Sequence, residues 1–148
     1  MTTRRLGPGD ADQARALFAV MAAAFGEDAE PLGDQYVDAL LTDDSFWAVA
    51  AFEDDRVVGG ITAHTIPMTR SESAEVFVYD LAVHPEHRRR GVAAGLVATL
   101  RALAAGAGIA DVFVPADADD TEALAFYRSQ SGAESPVRVF TWRREPHS

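Results

Sequence analysis

The 148-residue chain contains no cysteine and no lysine. Without cysteine there is no disulfide framework, no thiolate metal site and no cysteine nucleophile. The 13 basic residues are all arginine and stand against 23 acidic ones, giving a formal net charge of −10. A chain this acidic lacks the basic footprint that phosphate binding needs, which argues against nucleic acid as a main partner. The same excess of negative charge fits a cationic substrate drawn toward acidic walls, although solubility alone would also explain it. No apolar run approaches membrane-spanning length and no basic, apolar leader pattern is present, so the expectation is a cytoplasmic protein without membrane contact. Repeats, low-complexity tracts and dividing linkers are likewise missing. A hydrophobic fraction of 48% suits a two-layer core in a single domain over residues 1–148.

What is present alternates between strand and helix patterns. Arg4 to Leu6 reads as a short first strand. Asp10 heads a helix, with Gln13 in capping-box spacing and Leu17, Val20, Met21 and Ala24 on one apolar face. Phe25 to Asp34 is a loop carrying Gly26, Pro31 and Gly33, and a shorter helix from Asp34 to Leu41 follows. Phe46 to Phe52 and Arg56 to Ile66 flank Glu53-Asp54-Asp55 as a hairpin, with Gly59-Gly60 predicting a bulge or close packing. A third long strand runs from Ala74 to Val83, and a helix from Gly91 to Ala105 shows Val92, Leu96, Leu100 and Leu103 on one side. Ala110 to Pro115 is a strand, Asp117 to Asp120 an acidic loop, Glu122 to Ser129 a helix, and Val137 to Trp142 a strand closing the sheet. This order predicts a mixed α/β (α+β) domain on a mostly antiparallel sheet.

The most telling stretch is Tyr79 to Ala94, an apolar strand, a turn, then a basic entry into a helix. Amides at a helix start have no intrahelical partner, and the dipole adds partial positive charge there. Gly91 allows close approach of the main chain, and Arg88, Arg89 and Arg90 supply countercharge for an anion. Arginines at a helix N-terminus oppose the dipole unless an anion is bound. The pattern therefore describes a pyrophosphate cradle. The histidines His64, His84, His87 and His147 follow no ligand spacing, so no metal site is expected.

Arg88-Arg89-Arg90-Gly91-Val92-Ala93 resembles the Arg-x-x-Gly-x-Ala signature of the GNAT acetyltransferases. Asp120-x-x-Ala123-x-x-Phe126-Tyr127 and Gly132 resemble the family's second element, which usually starts with asparagine. The resemblance implies the GNAT fold, a central mixed sheet with a splayed strand pair flanked by helices, and acetyl-CoA as cosubstrate. Leu81, Ala82 and Val83 would bind the pantetheine amides through an opened strand edge. Arg88, Arg89, Arg90, Gly91, Val92, Ala93 and Ala94 would take the pyrophosphate. Tyr127 would act as general acid beside the CoA sulfur, with helix packing as its competing explanation. Such folds also leave room for a homodimer.

Acetyl transfer to an amine needs a neutral nitrogen, so a carboxylate must accept the ammonium proton directly or through water. Asp80, in an otherwise apolar strand just before the expected thioester position, is the candidate base. An aspartate bonded to neighbouring backbone is the bland alternative. A main-chain N–H near Ala82 would stabilise the developing oxyanion.

Phe25-Gly26-Glu27, Val76 to Val83, Glu86 to Arg89 and Ala116 to Asp120 are similar to type I aminoglycoside 3-N-acetyltransferases, which modify gentamicin-like antibiotics. By that likeness Asp80 would meet the 3-amino group of the deoxystreptamine ring. Glu27, Asp28, Glu75, Asp119 and Asp120 would hold the other ammoniums. Pro31, Ala118 and the Arg143-Arg144 tail depart from the pattern. The alternatives are a GNAT enzyme acting on another small amine, polyamine or protein amine, and a non-catalytic acyl-CoA-binding module.

Overall fold

Two hydrophobic periods run through the central strands, and they assign each residue to one of two layers. In the computed structural model, which describes residues 1–28 and 30–144, β1 (Thr2–Arg5), β2 (Phe46–Glu53), β3 (Arg56–Pro67), β4 (Ala74–Val83) and β5 (Asp111–Phe113) form one sheet in that order. His147 lies outside the described residues. All neighbouring strands are antiparallel except β4 and β5, which are parallel. Helix α1 (Ala11–Ala24) and helix α2 (Asp34–Thr42) cover one face. Helix α3 (Val92–Gly106) covers the other.

Alternation along β2 divides these layers. Trp47, Val49 and Ala51 join Val92, Leu96, Leu100 and Ala104 of α3. Phe46, Ala48 and Ala50 join Ala14, Leu17 and Met21 of α1 and Val37 and Leu41 of α2. Leu17, Leu96 and Leu100 are fully enclosed, and each contributes about 1.5–3 kcal/mol by leaving water. Asp10 stands at the start of α1 as expected, but its side chain makes no cap bond to the helix. Its carboxylate instead accepts from Gly7 N–H at 2.8 Å and from the Arg4 guanidinium at 3.1 and 3.2 Å. Those bonds hold it below the usual carboxylate range, the Arg4 side chain first.

The hairpin between β2 and β3 turns on Asp54 and Asp55, both left-handed, with φ of 50° and 64°. Two consecutive left-handed residues match the twist of a tight hairpin, and aspartate tolerates that region better than most side chains. Both expectations for Gly59-Gly60 hold. A bulge leaves Val58 as the extra residue opposite the Ala51–Phe52 step. A Cβ at Gly60 would overlap Leu17 Cδ1 and lie 2.9 Å from the Val49 carbonyl oxygen. A second bulge lies in β4, where Thr62 pairs with Asp80 but Ala63 pairs with Val78, so Tyr79 is the extra residue.

Residues 116–144 belong to a second compact unit. Its helix α4 (Thr121–Ser129) is capped by Asp120, whose Oδ1 accepts from Ala123 N–H at 3.0 Å. Arg128 and Glu134 form a bidentate pair at 2.5 and 3.0 Å. The strand expected at Val137 to Trp142 is not formed. Val137, Val139, Phe140 and Trp142 are exposed, and no described strand pairs with the segment. Alternating apolar residues favour a strand only where a partner satisfies its backbone, and here the ladder ends at β5. Among the described residues, no helix is long and apolar enough to cross a membrane.

Candidate active site

The site begins where pairing between β4 and β5 stops. Glu75, Val76 and Phe77 pair with Asp111, Val112 and Phe113, and among the described residues no further residue of β4 pairs on that side. From Val78 to Val83, β3 is the strand paired with β4 among the described residues. Main-chain groups alternate sides along a strand, so those of Leu81 and Val83 face the open edge, whereas those of Ala82, expected there as well, face Gly60 of β3. An extended ligand bearing amides satisfies such an edge in the way an added strand would.

The chain then turns through a short 3₁₀ segment, Pro85–His87, into α3. His84 fixes this turn: its N–H donates to the Val58 carbonyl at 2.8 Å, and its carbonyl accepts from His87 N–H at 2.8 Å. Arg89 and Gly91 are both left-handed, with φ of 61° and 80°. Arginine adopts that region at a cost, and such strain is concentrated at functional loops. Gly95 N–H to the Gly91 carbonyl, at 3.0 Å, closes the first turn of α3, which leaves the amides of Val92, Ala93 and Ala94 ahead of the helical ladder. No heavy atom lies within 4 Å of the Cβ position at Gly91, so space adjoins those amides. Arg88, Arg89 and Arg90 are exposed, and none is in an ion pair among the described residues. A diphosphate followed by an amide-bearing arm fits this arrangement: donors and guanidiniums at the helix start, then a bare strand edge.

One contact beneath this loop has no precursor in the sequence reading. His87 Nε2 lies 3.3 Å from Glu53 Oε2, and the His87 side chain is only 13% exposed. Its Nδ1 is buried and has no hydrogen-bond partner among the described residues. His84 packs edge-on to His87 at 5.8 Å and approaches the Arg56 guanidinium at 3.5 Å. The β2–β3 hairpin is thus tied to the loop before α3 by residues far apart in sequence. Spacing rules report neighbours on one element, and this pair spans two.

Asp80 gains its position from the β4 bulge. Val76 and Val78 lie in the α3 layer before it, and Leu81 and Val83 pack against that same layer after it. The extra residue at Tyr79 shifts the alternation by one, so Asp80 falls with Ala82 on the α1 side. Its carboxyl is pushed above the usual carboxylate range, first by burial and then by the charge of Glu27. Glu27, at the end of α1, is thereby brought to Asp80. Asp28 is exposed in the same loop, while Glu75 stands at the other end of β4, paired with Ile66 and Asp111.

The remaining sequence-predicted residues belong to the second unit. Tyr127, on α4, has its hydroxyl pKa raised by burial and by Asp120. Asp120 is already engaged in capping, whereas Asp119 is exposed. Gly132 N–H donates to the Tyr127 carbonyl at 3.1 Å, and a Cβ there would lie 3.2 Å from that oxygen. That crowding accounts for the glycine after α4. No group of three or more potential metal ligands occurs among the described residues.

Residues 14–132 match the family described as Acetyltransferase (GNAT) family. Comparison with curated protein sequences gives no match. Among solved structures, the chain is similar to the aminoglycoside acetyltransferase HMB0005 from an uncultured soil metagenomic sample. That likeness has 33% identity and a TM-score of 0.90, covering 97% of this chain and 98% of that one. It is also similar to the aminoglycoside acetyltransferase meta-AAC0020, from an uncultured soil metagenomic sample, in complex with sisomicin. Here identity is 28% and the TM-score 0.92, covering 97% of this chain and 96% of that one. The aminoglycoside N-acetyltransferase AAC(6')-Iy in complex with CoA shares the fold, at 20% identity and a TM-score of 0.74, over 97% of this chain and 99% of that one.

Proposed function

Because the chain belongs to the GNAT acetyltransferase family, we propose that it transfers the acetyl group of acetyl-CoA to an aminoglycoside, with the 3-amino group of the deoxystreptamine ring as acceptor. The observation that carries this reading is a half-buried carboxylate, Asp80, on the bulged and open strand, its pKa raised by burial and by the charge of Glu27. The likeness to aminoglycoside acetyltransferases over 97% of the chain supports the acceptor class.

Each part of the chain has a distinct task. Acetyl-CoA supplies a thioester carbonyl open to attack by a neutral amine. Leu81 and Val83 hold its amide-bearing arm along β4 through their outward main-chain groups, with Ala82 between them bonded to β3. The amides and guanidiniums from Arg88 to Ala94 hold its diphosphate, charge-assisted bonds being about twice as strong as neutral ones. Asp80 takes the proton of the acceptor ammonium, directly or through water, and its raised pKa makes it a better base than an ordinary carboxylate. Glu27, Asp28, Glu75, Asp119 and Asp120 are assigned to the other ammoniums. Tyr127 is assigned to proton donation at the departing sulfur. A tyrosine hydroxyl is protonated at neutral pH, and the upward shift from burial and Asp120 holds the proton more tightly until a thiolate forms.

The test is product analysis by mass spectrometry and NMR after reaction with acetyl-CoA and gentamicin or sisomicin. A single acetyl group on the 3-nitrogen is expected. Acetylation elsewhere on the antibiotic overturns the regiochemistry. Spermidine turnover without aminoglycoside turnover overturns the acceptor class, and CoA binding without amine-dependent thiol release overturns catalysis.

Glu27→Gln should move the acidic limb of the pH–rate profile to lower pH. The Glu27 charge disfavours ionisation of Asp80, so removing it lowers the Asp80 pKa and ionises the base earlier. An unmoved limb would separate Glu27 from Asp80.

A further inference from the structure

The β4 bulge gives two adjacent residues, Tyr79 and Asp80, access to one side of the sheet. Tyr79 is 66% exposed although it lies in the middle of a strand. Its ring meets the His64 ring at 6.1 Å and 87°, and the Phe77 ring at 6.2 Å and 65°. His64 rests on Phe46 at 5.3 Å, and Phe77 on Phe113 at 5.2 Å. Five rings thus form a row across β2, β3, β4 and β5. Phe46 is buried in the layer under α1 and α2, which anchors the row on the side that Asp80 faces. Tyr79 is the most exposed ring of this row, held edge-on by two neighbours and adjacent in sequence to the base.

We propose that the Tyr79 ring is a stacking wall of the acceptor subsite and selects a cyclic, aminated polyol over a linear polyamine. The inference rests on the aminoglycoside reading above. A saturated six-membered ring presents a flat array of C–H bonds, which packs against the negative face of an aromatic ring. Ammoniums on the rim of that ring are drawn to the same face and to the carboxylates of Asp80 and Glu27. A linear polyamine matches the charges but has no flat face to stack. The edge contacts from His64 and Phe77 fix the Tyr79 ring before ligand arrives, so little ordering is lost on binding.

Titration calorimetry of sisomicin and spermidine into the CoA-saturated protein tests this, alongside acetylation kinetics. Tyr79→Ala should weaken sisomicin binding about tenfold and raise its KM to match, with kcat within about threefold of wild type. Spermidine affinity and the acetyl-CoA KM should stay within about twofold, a split that general structural damage would not produce. Tyr79→Phe keeps the ring and should bind sisomicin like wild type. Tyr79→Leu keeps bulk without a π face and should follow Tyr79→Ala. If wild type binds and acetylates sisomicin while Tyr79→Ala binds it unchanged, or loses both ligands equally, this inference alone is overturned. Wild-type affinity in Tyr79→Leu overturns it as well. If wild type neither binds nor acetylates sisomicin, the aminoglycoside reading falls and takes this inference with it.

Discussion

Asp80→Asn is expected to lower kcat by about 10²–10⁴-fold, the range removed with a positioned general base. Asparagine keeps the shape of the side chain and loses both its negative charge and its capacity to accept a proton. Acetyl-CoA affinity should change little, because the groups assigned to it are the main chain of Leu81 and Val83 and the Arg88 to Ala94 loop. The same variant should be at least as heat-stable as wild type near neutral pH. The folded-state pKa of Asp80 is raised by burial and by Glu27. Ionisation is therefore resisted by the fold, and the penalty, absent below the unfolded pKa, is fully present above the folded one. Removing the charge removes that penalty. Loss of turnover together with a falling melting temperature would point to a structural aspartate; wild-type turnover would remove it from the base role.

Gly60→Ala carries the largest expected effect on stability. The added Cβ overlaps Leu17 Cδ1 in the core, and it would sit 2.9 Å from the Val49 carbonyl oxygen, a backbone atom fixed by the sheet. Leu17 is fully enclosed and cannot swing away without disturbing Ala14 and Met21. Overpacking of this kind costs about 1–3 kcal/mol. At about 2–4 °C per kcal/mol for a domain of this size, thermal denaturation should show a fall of about 3–10 °C. Gly106→Ala is the matched control, since nothing lies within 4 Å of its Cβ position and it ends α3. It should be neutral or slightly stabilising. Equal melting temperatures for both variants would mean that α1 is not seated closely on β3.

Most of the scaffold was legible because its signals are local. The expected Ala74 to Val83 strand matches β4, and α2, α3 and α4 differ from expectation by about one residue at an end. The Arg-x-x-Gly turn also lies where it was placed, at the start of α3. What failed or went unseen depends on partners distant in the chain. Val137 to Trp142 has strand-like alternation, yet alternation does not supply a neighbour. Glu53 and His87 meet only because the β2–β3 hairpin folds back under the anion loop. Asp10 was placed correctly at its helix start, but its bonds go to Gly7 and Arg4 rather than into the helix. The β4 bulge did leave a trace. Val76 and Val78 share a layer with Leu81 and Val83, an even-to-odd switch that marks an extra residue between them.

That switch also identifies what keeps the carboxylate aimed outward. In an unbroken ladder Asp80 would turn toward α3 and take the place of a core side chain, while Leu81 and Val83 would turn away from it. Sliding by one residue therefore exchanges Leu81 and Val83 for Asp80 and Ala82 in the α3 layer, an inversion the chain resists. Leu81 and Val83 act as counterweights. Their aversion to water holds Asp80 in its orientation, so two side chains that touch no proton enforce the direction of the one proposed to accept it.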